Sequence, residues 1–285
     1  MNTSQKLINK IRKYDFKGLN NEFRESIELS IAKAVGENKP INLISFTCST
    51  INSEYLFSDT PWLYVSTNPK GNNLTSDAVR LKEIFDDLRD IYPKVELNIL
   101  IGNTDPYYIY LQQFKKFPKP KDMLWQEFST RWSAYKINFE KWMRASIPEV
   151  RIISWYEFEK ETESKTGRFF EKEYEKVKQD IYSYFTKDQL EWEFRKLQTQ
   201  FGKGNYFENL EKPDDAMLKD WIVRKFTEYA VQAKWIFENI PNAILIQNEK
   251  PSDLRSEMYQ PVIKKEFGDS LPIVYFFGVD NSGYQ

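Results

Sequence analysis

The chain has no histidine and a single cysteine, Cys48, among its 285 residues. The first absence removes Ser-His-Asp and Cys-His catalysis, His-ligated zinc and any histidine general base. The second removes an intrachain disulfide and a cysteine-built metal centre. No apolar run approaches the roughly 20 residues of a membrane span. The opening MNTSQKLINKIRKYDF lacks the uninterrupted apolar core of a signal peptide, so a soluble cytoplasmic protein with no membrane partner is expected. Neither Gly-x-Gly-x-x-Gly nor Gly-x-x-x-x-Gly-Lys occurs, and PKGNN at 69–73 is no substitute, so dinucleotide and P-loop binding have no support. Any chemistry must use carboxylates, hydroxyls, phenols, amides, lysines or arginines.

What the chain does have is aromatic residues and balanced charge. With 21 Phe, 17 Tyr and 8 Trp it can bury a large core. Its 41 Lys and Arg against 42 Asp and Glu leave a net charge of −1, which argues against a bulk coater of polyanions but leaves room for a local basic face. Apolar spacing predicts a helix over 21–36, ended by Gly36, and a strand over 41–48 that is apolar on both faces. A helix over 77–92 and a strand over 95–102 follow, a βαβ unit with parallel pairing. Between them, LYV is either an edge strand or part of an insertion near 56–75. Further on come a Pro/Lys linker at 115–123, a helix at 124–145 and a strand at 150–155. Beyond these the pattern reads as charged helix over 168–201, interrupted near 184–188, a loop at 202–215 and a helix at 216–239. Strands at 243–247 and 272–279 complete it. The alternation indicates an α/β Rossmann-like fold.

In such folds ligands bind beyond the carboxyl ends of the strands. The first strand runs into Cys48-Ser49-Thr50-Ile51-Asn52-Ser53-Glu54-Tyr55. A hydroxyl at 49 stands at the mouth of that crevice, flanked by amide and phenol donors. Ser49, Asn52 and Ser53 are also residues that turns favour, and taken alone they read as turn residues. Cys48 reads as a small buried hydrophobe, because no histidine or cation is there to lower its pKa. The aromatic positions of 124–145 follow the helical period and read as core.

Three short patterns together resemble the tRNA-dependent cyclodipeptide synthases. That family carries Ser-x-x-Asn-Ser and then aromatics after its first strand, matched by Ser49, Asn52, Ser53, Tyr55 and Phe57. It carries a helix with Tyr, then Glu four residues on, then Pro before a strand; here Tyr229 lies in EYAVQAKWIFENIP. It carries a Tyr-His or Tyr-Pro pair before its last strand, where this chain reads Tyr259-Gln260. Each pattern recurs by chance, and it is their order on the expected elements, across roughly 41–279, that carries the resemblance. The departures are Ala233 at the family's Glu position, Thr47 where the family has glycine, and Gln260 in the pair. Gln232 or Glu228 substitutes for that Glu from another angle, or the register differs by one residue, or the chain is a disabled variant.

The resemblance implies one Rossmann-like domain over 1–285, with a helical segment at 1–40 and a catalytic core at 41–279. Its mostly parallel sheet would be flanked by helices, similar to the catalytic domains of class I aminoacyl-tRNA synthetases. It implies an aminoacyltransferase in which Ser49 attacks the ester of one aminoacyl-tRNA. The amine of a second aminoacyl-tRNA then takes the acyl group, and cyclisation gives a diketopiperazine. The ester is already activated, so neither cofactor nor metal is expected. Tyr229 would orient the amine, with the position of Ala233 holding the family carboxylate. Tyr259 would relay a proton and Asn52 would hold the serine loop, while Thr47, Tyr55 and Gln260 would line the pocket. The family's basic helix corresponds to 124–145, so Lys136, Lys141 and Arg144, with Lys115 and Lys116, are the expected tRNA contacts. From charge alone that face is equally an ordinary solvated one. A monomer is expected. Two other classes compete: an isonitrile-synthase-like Rossmann enzyme, and a non-catalytic tRNA-binding relative.

Overall fold

The computed structural model describes residues 2–14, 21–47, 66–67, 73–74, 77–101, 137, 140–141, 143–202, 214–247, 255–268 and 272–275. Its centre is a five-stranded, all-parallel sheet of β1 (Ile41–Thr47), β4 (Val95–Ile101), β5 (Arg151–Ser154), β6 (Ala243–Gln247) and β7 (Ile273–Tyr275). The order across the sheet is β5-β4-β1-β6-β7. A separate ladder pairs β2 (Ser66–Thr67) antiparallel with β3 (Asn73–Leu74), inside the expected insertion.

Side chains alternate across a strand, and here both sets are apolar. Leu43, Leu97, Ile99, Ile244, Ile246 and Val274 point into one core. There they meet α1 (Thr3–Tyr14), α2 (Asn21–Gly36) and α3 (Asp77–Arg89) through Leu7, Ile31 and Phe85. Ile44, Leu100, Leu245 and Ile273 point the other way. On that side lie α4 (Trp155–Thr166), α5 (Phe170–Gln179), α6 (Ile181–Tyr184), α7 (Lys187–Gly202), α8 (Asp215–Asn239) and α9 (Arg255–Phe267). This is the doubly wound α/β arrangement that the run of two-faced apolar strands foretells.

Several boundaries differ from the sequence-based expectation. The strand expected at 150–155 stops at Ser154, because Ser154 caps α4: its Oγ accepts from the Glu157 N–H at 3.1 Å, and the Glu157 carboxylate accepts from the Ser154 N–H at 2.6 Å. That capping box ends the strand and starts a helix with no intervening loop. Gly167, at φ 68°, closes α4, and the charged helix expected over 168–201 is three helices, broken at Asp180 and at 185–186. The largest omission is α9, where a proline at 261 masks a helical segment. Residues 143–146, the end of the helix expected at 124–145, are helical. The LYV run, the linker at 115–123 and 276–279 lie outside the described residues.

Candidate functional site

Strand order reverses between β1 and β6: β4 and β5 lie to one side and β7 to the other. Crossovers from two adjacent strands that leave in opposite directions open a crevice at their carboxyl ends, where ligands of doubly wound folds bind. β1 reaches that edge at Thr47, paired with Ile101, and β6 reaches it at Gln247. Ser49 follows β1 by two residues in sequence.

The turn at 240–242 joins α8 directly to β6, so the helix runs back along the strand. Tyr229 precedes the helix end at Asn239 by about 15 Å at 1.5 Å per residue. The five residues of β6 cover about 17 Å. Tyr229 therefore stands level with the carboxyl edge of the sheet. α9 starts on that edge after β6, and Tyr259 lies in its second turn. The two tyrosines, 30 residues apart in sequence, meet edge to face with ring centroids 5.9 Å apart at 60°.

A hydrogen-bonded chain joins Tyr259 to two further side chains. Tyr259 donates its hydroxyl proton to Gln232 Oε1 at 3.2 Å, and Gln232 Nε2 donates to Glu228 Oε1 at 3.2 Å. Tyr259 and Gln232 are buried, whereas Glu228 and Tyr229 are half-buried, so the chain runs from the core outward. Glu159 on α4 faces the same locus. Burial pushes its carboxyl up to about 7; the Trp155 indole opposes this and the Glu228 charge adds to it. The Trp155 N–H is fully buried and reaches towards Glu159 without closing a hydrogen bond of normal geometry. Tyr174 on α5, also within the field of Glu228, has its phenol raised, chiefly by burial.

Below this locus lies a network of charges. Lys234 Nζ meets Glu173 at 3.3 Å and Glu266 at 3.2 Å. Arg168 bridges Glu173 at 3.3 Å and Glu238 at 2.5 Å, and Tyr184 donates to Glu266 at 2.6 Å. These pairs tie α5, α6, α8 and α9 together. Lys265 meets Asp180 at 3.2 Å and lies 4.1 Å from the Tyr184 ring centroid.

Of the expected site residues, the structure brings Tyr229 and Tyr259 together and places half-buried Gln260 beside Tyr259 on α9. Ala233 is fully buried in the apolar cluster with Ala230 and Trp235. Thr47 ends β1. Lys141 and Arg144 are exposed, the latter 3.5 Å from the Ile152 carbonyl. Ser49, Asn52, Tyr55, Lys115, Lys116 and Lys136 lie outside the described residues. Sequence reasoning missed Glu159, whose helix follows β5 without a loop. The i,i+4 spacing of Glu228 and Gln232 was the available signal for their pairing. Among the described residues, no group of three or more cysteine or carboxylate side chains is placed to hold a metal ion, and no helix is long and apolar enough to cross a membrane.

Fold and site together define a doubly wound α/β protein with a tyrosine pair at its topological switch point. Neither a protein-family model nor a curated protein matches the chain. Among solved structures, one described as a CDPS from Fluoribacter dumoffii aligns with it at a TM-score of 0.47 and 10% identity, over 82% of this chain and 89% of that one.

Proposed function

We propose that the chain is an aminoacyltransferase of the cyclodipeptide-synthase type, using two aminoacyl-tRNAs and a serine acyl-enzyme at Ser49. The observation that carries this reading is the meeting of Tyr229 and Tyr259, from separate elements, beside the strand edge that leads into Ser49. The resemblance gives those three residues to one site.

In this reading the Ser49 oxygen attacks the ester carbonyl of the first aminoacyl-tRNA. An aminoacyl-serine ester forms, the tRNA 3′ end leaves, and the serine proton goes to the departing oxygen. The free amine of a second aminoacyl-tRNA attacks the serine ester and releases Ser49. The dipeptidyl-tRNA so formed transfers its dipeptidyl group to Ser49 as the second tRNA 3′ hydroxyl leaves, and the N-terminal amine then attacks that serine ester, closing the ring and freeing the Ser49 hydroxyl. Each step exchanges one acyl–oxygen bond for another bond of equal or greater stability, so no external energy source enters. Tyr229 orients the amine, and Tyr259 supports the proton movements of cyclisation. Lys115, Lys116, Lys136, Lys141 and Arg144 receive the tRNA backbone.

The test is incubation with mixed aminoacyl-tRNAs, reading cyclic dipeptides and protein acylation by mass. Cyclic dipeptides that disappear in Ser49→Ala support the proposal; unchanged product in that variant ends it. Fully buried Ala233 favours a second reading, a non-catalytic tRNA-binding relative. Salt-sensitive tRNA binding with neither acylation nor product would establish it.

A further inference from the structure

α8 outreaches β6, the strand it leads into. Met217 precedes Asn239 by about 33 Å of helix, against about 17 Å for β6, so the first turns of α8 rise past the carboxyl edge of the sheet. α7 packs against those turns: Gln198 donates to Asp215 at 2.8 Å, and Lys225 meets Glu193 at 3.7 Å. We propose that one side of this α7–α8 hairpin, presenting Trp192, Trp221 and Met217, stacks the bases of a short unpaired nucleic-acid strand, the 3′ end of the tRNA. That the strand belongs to a tRNA rests on the aminoacyl reading above; the stacking surface rests on geometry.

Met217, Trp221, Arg224, Glu228 and Gln232 succeed one another at steps of three or four residues, so they share one face of α8. That stripe begins in solvent, where Met217 is 53% exposed, and ends at Gln232, which accepts from Tyr259. Between Met217 and Glu228 it covers about 16 Å, the length of about five bases stacked at 3.4 Å. Trp192 joins it from α7 and is 55% exposed. Lys196 lies 5.1 Å from the Trp192 ring centroid and meets Glu193 at 3.3 Å. Lys225, on the other Glu193 oxygen, lies 5.2 Å from the Trp221 centroid. This succession of ring, cation, carboxylate, cation and ring crosses the hairpin and sets both indoles on the same side of it. Glu193 is buried, so the crossing is built into the packing of the two helices. An apolar peptide would ask for an unbroken apolar stripe, and here Arg224 and Glu228 interrupt it. Bases stack on separate rings and leave the charges between them to sugar and phosphate. The cations are matched, Arg224 by Asp220 at 2.7 Å and both lysines by Glu193, so rings rather than surplus charge dominate the contact. A strand laid on this side runs down to the tyrosine pair, where its terminal ester has to arrive.

Fluorescence anisotropy of a labelled single-stranded RNA pentamer tests this, beside the same sequence locked in a hairpin duplex. The wild-type chain should bind the pentamer at least about fivefold more tightly than the duplex. Trp192→Ala should weaken pentamer binding by about fivefold or more, the worth of one stacked base. Trp192→Phe keeps a ring and should bind within about twofold of wild type. Because stacking rather than phosphate contact is lost, the salt slope of Trp192→Ala should match that of wild type. Leu29→Ala removes an exposed apolar side chain on α2 and should leave binding unchanged. Equal binding of pentamer and duplex, unchanged pentamer binding in Trp192→Ala, a loss that Trp192→Phe does not restore, or an equal loss in Leu29→Ala overturns the proposal. The pentamer carries no ester, so its binding needs neither Ser49 nor a charged tRNA. Absent acylation with Trp192-dependent pentamer binding would therefore remove the synthase reading alone. Normal acylation with Trp192-independent pentamer binding would remove the stacking surface alone.

Discussion

Glu159 and Ala233 put opposite demands on the same layer of side chains. The Glu159 carboxyl titrates at about 7 in the folded chain, raised first by burial, against an ordinary value of 4.5. Between those values the folded state holds a proton that the unfolded state has lost, so folding stability falls as pH rises through that window and levels off above it. Glu159→Gln should flatten this decline. Urea unfolding at pH 5 and pH 8 checks it, and equal pH slopes in the two proteins would refute the assignment. Ala233, at 0% exposure, has no room for a carboxylate. Ala233→Glu should destabilise by on the order of 3 kcal/mol or more, through an unpaired buried charge and overpacking. A thermal melt at matched pH measures it. Restoring the residue that the resemblance suggests would thus damage the fold before it tested the chemistry.

At the scale of elements, α5, α8 and α9 are joined by Lys234, Glu173 and Glu266 more than by loops. Both carboxyls are held below the ordinary range by Lys234 and its neighbours even though burial pushes them up. Their contribution is fully present above about pH 4.5 and is lost as pH falls through the folded values, the reverse of Glu159. Lys234→Ala should cost roughly 2 kcal/mol, less than for a fully buried pair because both carboxyls retain some exposure. Ser154→Ala should cost about 1 kcal/mol through loss of the α4 cap. Chemical denaturation reads both. The strands were legible in the sequence because apolar residues on both faces leave few alternatives, as Leu43 and Ile44 illustrate. The break at Asp180 was not, since charged helices continue the same composition across it. α9 was hidden by Pro261, which reads as a terminator although the helix continues past it to Phe267. Tyr229 and Tyr259 were readable as single residues. Their ring contact, and the bond from Tyr259 to Gln232, were not, because both depend on how α8 and α9 cross.

For the whole molecule, a net charge of −1 provides no long-range pull on a polyanion. Any tRNA contact must come from local cations, of which Lys141 and Arg144 are exposed beside β5. Neutralising both should weaken tRNA binding and make its salt dependence shallower by about one to two units in log–log slope. Filter binding between low and physiological salt checks this; an unchanged slope would place the contact elsewhere.

β1 is hydrogen-bonded on both edges, to β4 along its full length and to β6 over 42–45, and its side chains enter both cores. No local opening frees those amides without also parting the two halves of the sheet. Hydrogen exchange at 43–45 should therefore track global unfolding, while the helix ends exchange sooner. Ser49 thus follows by two residues a strand whose exchange is expected to report global unfolding.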